Sequence, residues 1–576
     1  MGEALSNLEI ARGAKLLPIE EVGRSMGLRE ERHLEPYGRH VAKVDLCAIE
    51  DLSERPKAKY ILVSAITPTP LGEGKTTTTV GLGQAFSHIG KRATIAIRQA
   101  SMGPAFGIKG GAAGGGYSQV VPMERLNLHL TGDLHAVTEA HNMLAAMIDN
   151  HLYHGNGLGI EPHSISWRRV MDVNDRSLRN IVIGLGARTD GVPRQSGFDI
   201  TAASEVMAIL ALASSLEDLR ERLGRIVIGH DREGNPVSAE DVRGAGAMAV
   251  ILKEAIKPNL MQTLEGTPAL VHAGPFGNIA TGNSSVVADL IGIRTADYLI
   301  TEAGFGADMG AERFFNIKCR ISGLEPDAAV VVATVRALKA HSGRYQIKAG
   351  APLPEELLEE NPQDVLAGAE NLKKQIENIK LHGVPAVVAI NAFPTDHPSE
   401  HKAIEEAAKE VGARCAVCRH FTEGGKGAVE LARALEETIE ENERERRRGG
   451  GGSFRFLYPL EMPLKQKIET IAREVYGAEG VEYDAEALRA LEGFERAGFG
   501  RLPVCLAKTH LSLSSDPALK GAPRGWKLSV REVRASVGAG FIYPICGQMR
   551  TMPGLSAHPA AERIDLDGEG NVVGLF

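Results

Sequence analysis

Short apolar runs recur along the chain, separated by longer stretches in which polar and apolar residues alternate at helical spacing. "KYILVSAIT" (59–67) is β-branched and of strand length. "TTTTVGLGQAFSHIG" (76–90) predicts a helix closed by Gly90, and "KRATIAIRQ" (91–99) another strand. Strand, loop, helix and strand in that order make a βαβ unit. Further strands are predicted in "RNIVIGLG", "GRIVIGH", "TPALVHAG", "ADYLITEAGFG", "AAVVVATV" and "GVPAVVAINAF", with helical stretches such as "ASEVMAILALASSLEDLRERLG" between most of them. Residues 1–60 are helical in character. The order predicts an α/β fold, a P-loop-type mainly parallel sheet covered by helices, with two smaller α/β or α+β domains.

At 576 residues the chain exceeds one core, so two to four domains are expected. The expected division is 1–362 for nucleotide binding, 363–478 as a second α/β domain and 479–576 as a small C-terminal domain. The proline- and glutamate-rich "AGAPLPEELLEENPQ" (349–363) marks one boundary. "ENERERRRGGGGSF" (441–454) is either a flexible linker or a surface loop within a domain.

Composition narrows the function. With 43% hydrophobic and 24% charged residues the chain has the profile of an ordinary globular protein. No apolar run is long enough to span a bilayer, and the N-terminus has no signal core, so a cytoplasmic protein with no membrane partner is expected. A net charge of -8 argues against nucleic acid as a partner. The six cysteines are scattered, a reducing-compartment pattern. Cys415 and Cys418 form a lone CxxC, read as part of a buried strand because a second ligand pair is missing.

The candidate chemistry begins after the first strand. Thr69, Pro70, Leu71, Gly72, Glu73, Gly74, Lys75 and Thr76 read "TPLGEGKT", a phosphate loop in which Thr69 stands where the usual first glycine would be. The backbone N–H groups of such a loop and the helix start that follows face phosphate oxygens. Lys75 would reach the terminal phosphate of ATP or GTP, and Thr76 would bind Mg2+. On this evidence an NTPase switch and a phosphoryl-transfer ligase both remain open. "GIKGGAAGGGY" (107–117) is a loop that approaches a ligand closely, or a flap. Arg98 and Lys109 lie near it, and Arg98 ends a strand, where open α/β sheets bind ligands. In "LTGDLHAVTEAHN", Asp133 is a weaker candidate for helping place Mg2+, and His135 with Glu139 reads as a hydrogen-bonded pair.

Taken together, "TPLGEGKTTT", "GIKGGAAGGGY", "GPFGNIATG", "TEAGFGADMGAE" and "VATVRALKAH" resemble the formate–tetrahydrofolate ligase family, in order and over essentially the whole chain. The resemblance implies formate, ATP and tetrahydrofolate as substrates, 10-formyltetrahydrofolate as product and formyl phosphate between them. It implies that Lys75 and Arg98 hold the formyl phosphate, and that Phe393 and Phe421 wall the pterin. Phe305 and Pro394 belong to the same expected folate set. It further implies a monovalent cation, K+ or NH4+, and a homotetramer. Departures are Phe421 where tryptophan is usual, Gln99 where an acidic residue commonly follows the arginine, Ser342 for a glycine, and the 441–453 insertion. A regulatory P-loop ATPase would need neither a second glycine loop nor a stacking pair. A P-loop enzyme acting on another carboxylate would lose the aromatic walls.

Overall fold

The structure is a computed structural model that describes residues 5–107, 111–276, 279–347, 352–450 and 452–575. One twelve-stranded sheet organises it. Its strands are β1 (Leu34–Pro36), β2 (Ala42–Val44), β3 (Lys59–Ala65), β4 (Ala93–Ile97), β5 (Gly114–Gly115), β6 (Ser118–Val121), β7 (Asn259–Thr263), β8 (Pro268–Val271), β9 (Tyr298–Glu302), β10 (Ala328–Ala333), β11 (Ala386–Asn391) and β12 (Arg414–Cys418). The main path is β1-β2-β7-β8-β4-β9-β3-β10-β11-β12, with β6 pairing both β7 and β5. From β8 to β12 every pair is parallel; β1, β2 and β7 add an antiparallel margin.

The central strands are apolar on both faces because both are covered. In β3, Ile61, Val63 and Ala65 face one core while Tyr60 and Leu62 face the other. The first core is closed by helix α1 (Lys75–His88), through Val80, Leu82 and Phe86. The opposite core is closed by α2 (Val335–His341), α3 (Pro362–Lys380) and α4 (Pro398–Glu410). Asn361 caps α3 by accepting from Asp364 N–H, Pro362 begins it, and Val365, Leu372, Ile376 and Ile379 form its buried stripe. α5 (Val429–Arg447) returns to the first core through Leu431, Leu435 and Ile439.

The α/β architecture matches the reading of the sequence, and several details differ. "RNIVIGLG" and "GRIVIGH" do form strands, Ile181–Ile183 and Val227–His230, but each pairs only with a local partner outside the main sheet. They lie in the segment between β6 and β7, whose helices bury a core of their own that includes Leu144, Leu210 and Leu223. "ASEVMAILALASSLEDLRERLG" is two helices, Glu205–Leu212 and Leu216–Gly224, because Ser215 caps a new start. β1, β2 and β7 were not anticipated; they are short, and residues 1–60 also hold the helices expected there.

The sheet runs without a break across residues 362/363, since β10 pairs with β11. A further core, from Tyr458 to Cys546, spans residues 478/479. The charge run 441–447 is the last part of α5, where Leu435 and Ile439 anchor the helix and Glu443 pairs with Arg447 at 3.6 Å. Gly449, with φ of +79°, follows it. All six cysteines are unpaired, and Cys415 and Cys418 lie in β12 with burial pushing the Cys418 thiol up to about 12.

Candidate functional site

The C-terminal ends of the parallel strands bring the candidate residues to one edge of the sheet. β3 leads into the phosphate loop, β4 into Arg98, β9 into Glu302 and Phe305, β11 into Phe393, and β12 into Phe421. Ligands of open α/β sheets bind beyond these ends.

The loop is held from within and from behind. Gly72 and Gly74 have φ of +75° and +79°, the left-handed values that glycine adopts without strain. Thr69 is not among the positive-φ residues, so its position needs no glycine. Instead the Thr69 N–H donates to Glu73 Oε1 at 2.7 Å, closing the loop on a buried carboxylate. At the loop entrance Thr67 N–H donates to Asn371 Oδ1 at 2.9 Å, and His341 Nε2 lies 2.8 Å from the Thr67 carbonyl. Asn391 donates to the Glu73 carbonyl at 3.1 Å, so close that a Cβ on Gly74 would overlap its amide.

Charge converges beyond the loop. Burial pushes the Lys75 ammonium below its ordinary range, the Glu73 and Glu302 carboxylates oppose that, and the Arg98 cation reinforces it. Arg98 Nε is buried, without a hydrogen-bond partner, and 3.9 Å from Glu302 Oε1. Thr76 Oγ1 donates to Glu302 Oε2 at 2.8 Å. Two cations, Lys75 and Arg98, and the oxygens of Thr76 and Glu302 therefore lie close together. Glu302 escaped the sequence reading although it lies inside "TEAGFGADMGAE"; its signal was its place as the last residue of a strand. Next to Arg98, Gln99 is buried with neither amide atom hydrogen-bonded.

Asp133 does not join this group. Its Oδ1 accepts from Lys43 at 2.5 Å and its Oδ2 from Asn259 at 2.7 Å, a buried ion pair that commits both oxygens. Asn259 begins β7, four sheet positions from β3, or roughly 19 Å at the usual strand spacing. His135 and Glu139 form an exposed pair at 3.7 Å on the helix Asp133–Tyr153. His272 is buried, with Ser285 Oγ and the Ala255 carbonyl each 2.6 Å from a ring nitrogen, and burial lowers its pKa to about 4. Both of its nitrogens are thus occupied.

Phe393 and Phe421 follow adjacent strands. Phe421 is 48% exposed, a high value for a phenylalanine. The described part of the glycine loop packs on it: Tyr117 N–H donates to the Phe421 carbonyl at 2.8 Å, and Gly116 N–H to Asn7 Oδ1 at 2.8 Å. A Cβ on Gly116 would overlap that carbonyl, which explains the glycine. Lys109 lies outside the described residues. The Phe393 N–H donates to Asp396 at 2.9 Å, and the Arg336 guanidinium lies 3.2 Å from the centre of the Phe393 ring. Pro394 is exposed beside it.

Phe305 stands apart. β9 is three positions from β11, roughly 14 Å. Its ring stacks on His510 at 4.5 Å and its backbone has a φ of +60°, unusual for phenylalanine. Ser342, in place of a glycine, has φ of -64°, while Gly343 takes the left-handed position at +81°.

Comparison with known proteins shows the family to which the chain belongs. The family described as formate–tetrahydrofolate ligase matches residues 5–576. The formate–tetrahydrofolate ligase of Saccharopolyspora erythraea is 70% identical over 570 residues, covering 99% of each chain. Those of Cutibacterium acnes and Roseiflexus castenholzii are 63% and 61% identical over 571 residues, covering 99% of this chain and 100% of theirs.

Proposed function

The chain belongs to the formate–tetrahydrofolate ligase family, and from that premise we propose how the cleft at the strand ends carries the reaction. The reaction is the ATP-dependent ligation of formate to tetrahydrofolate in one-carbon metabolism. It yields 10-formyltetrahydrofolate, ADP and phosphate.

The route has two steps. A formate oxygen attacks the γ-phosphorus, the bond to the β-bridging oxygen breaks, and ADP leaves. The resulting formyl phosphate is attacked at its formyl carbon by nitrogen 10 of the folate, phosphate leaves, and the nitrogen loses its proton. Formate is a poor acyl donor; phosphorylation turns one of its oxygens into a leaving group. Lys75 and Arg98 hold the negative charge of the two anions as they meet, a task that buried cations perform strongly. The loop from Thr69 to Thr76 receives the phosphates. The observation that carries this reading is the convergence of Lys75, Arg98, Thr76 and Glu302 beyond three adjacent strands.

Magnesium fits the donors present: Thr76 Oγ1 and the Glu302 carboxylate are hard oxygens already within hydrogen-bonding distance of each other. Bound with ATP, it neutralises phosphate charge. Asp133 takes no part. K+ or NH4+ has a candidate oxygen in the unpartnered Gln99 amide. Phe393 and Phe421 take the pterin between them. Phe305, already stacked on His510, bounds the far side of the cleft.

The protein acts in the cytoplasm on this reading, consistent with the finding that no described helix is long and apolar enough to cross a membrane. The proposed assembly is a homotetramer, which light scattering would test. Val182 and Leu185 are exposed apolar side chains of the kind that subunit contacts cover.

The test is the appearance of 5,10-methenyltetrahydrofolate, read by absorbance after acidification, from protein, MgATP, formate and tetrahydrofolate. Product is expected only from the complete mixture and is lost in Lys75→Ala. Product formed without formate, or undiminished in that variant, would refute the assignment.

A further inference from the structure

Arg336 has an unusual environment. It lies in α2, which follows β10, and its guanidinium sits over the Phe393 ring with Cζ 3.2 Å from the ring centre. Its Nε is buried and has no hydrogen-bond partner, and among the described residues Arg336 makes neither a hydrogen bond nor an ion pair. A half-buried guanidinium normally spends its donors on carboxylates or carbonyls. Here the one specific contact is with the face of an aromatic ring.

β10, β11 and β12 are consecutive, so Arg336 reaches Phe393 from the β10 side and Phe421 stands on the β12 side. The guanidinium occupies one face of the Phe393 ring. The turn that carries the ring is fixed separately: Asp396 accepts the Phe393 N–H at 2.9 Å, returns its own N–H to the Phe393 carbonyl at 3.0 Å, and lies 3.1 Å from His401. Asp396 is also the acidic group whose charge Arg336 feels. Backbone and ring are thus held by two different devices.

We propose that Arg336 is a positioning residue for folate binding: its guanidinium, lying over one face of the Phe393 ring, holds that ring in the orientation that receives the pterin. The inference rests on the reading of Phe393 and Phe421 as pterin walls. A planar cation suits the role. It is attracted to the π-electrons and shields the face it lies over from water. Arg336 touches neither ATP nor formate on this account, so it acts on one substrate only.

The experiment is a double-mutant cycle on the apparent KM for tetrahydrofolate, using Arg336→Met, Phe393→Ala and the pair together. Cation–π strengths predict that Arg336→Met raises this KM roughly three- to tenfold, while the KM values for ATP and formate stay within about twofold. In the Phe393→Ala background the same substitution should add nothing, because the ring it orients is gone. Arg336→Lys keeps the charge without the plane and should fall between wild type and Arg336→Met; it also serves if the methionine variant does not fold. An unchanged folate KM in these variants, or an equal rise in the Phe393→Ala background, would overturn the positioning role. If Phe393→Ala alone leaves the folate KM unchanged, the pterin reading itself fails, and this inference with it.

Discussion

Thr76 Oγ1 donates to Glu302 Oε2 at 2.8 Å, tying the first turn of the helix after the phosphate loop to the end of the neighbouring strand. Glu302 is buried and also lies 3.9 Å from Arg98 Nε. One carboxylate thus links Thr76, at the start of the helix after the loop, to Arg98, at the end of β4. Glu302→Gln keeps the shape and removes the charge. It is expected to weaken Mg2+-dependent ATP binding roughly 10- to 100-fold, the usual effect of altering groups around a metal site. Calorimetric titration of MgATP at several Mg2+ concentrations, without formate or folate, measures this. Unaltered Mg2+ dependence would remove Glu302 from the metal's surroundings.

Burial holds the Lys75 ammonium below the 10.5 of an ordinary lysine. In the proposed role its cationic form binds phosphate, so kcat/KM for ATP, which reports the free enzyme, should fall as pH rises through this lowered pKa. The alkaline limb is expected below pH 10.5. Lys75→Arg should move it upward, since a guanidinium stays charged. An identical limb in that variant would assign it to another group.

Gly116 has φ of +57°, and a Cβ there would overlap the Phe421 carbonyl. Gly116→Ala should therefore push Phe421 out of place and raise the tetrahydrofolate KM toward the value of Phe421→Ala. The KM for ATP is the control that should hold steady. Normal folate kinetics in both variants would count against a stacking role for Phe421.

His272 follows β8 and is buried. Its occupied ring nitrogens and a pKa lowered to about 4 by burial make it structural. His272→Asn should leave the pH profile of kcat unchanged. The unfolded chain binds this proton near 6.5, the ordinary imidazole value, and the folded chain only near 4, so wild-type stability drops as pH falls through that window. The advantage of wild type over His272→Asn should shrink by about 3 kcal/mol between pH 6.5 and 4. A constant difference in Tm, or a shifted kcat profile, would contradict this.

The parallel strands were legible because both faces are buried and each strand reads as a continuous apolar run. Residues that follow such a run, among them Arg98, Phe393 and Phe421, inherit their place from it. Glu302 shares that logic and was missed because it hides inside a glycine-rich motif. Asp133 was misplaced because chain proximity to the glycine loop says nothing of sheet position; Lys43 and Asn259, 90 and 126 residues away, claim it. Arg336 could not be read from the sequence at all, since its contact with Phe393 depends on the order β10-β11-β12. The Thr69 anomaly resolved locally: Glu73 supplies the closure that the missing glycine would have permitted.

The central claim is that formate is activated by phosphoryl transfer in the cleft between Lys75 and Arg98. Formate labelled with 18O in both oxygens tests it most directly, with mass analysis of the phosphate released during complete turnover. The account predicts one 18O in each phosphate formed, and none from Lys75→Ala. Unlabelled phosphate released alongside labelled 10-formyltetrahydrofolate would contradict it.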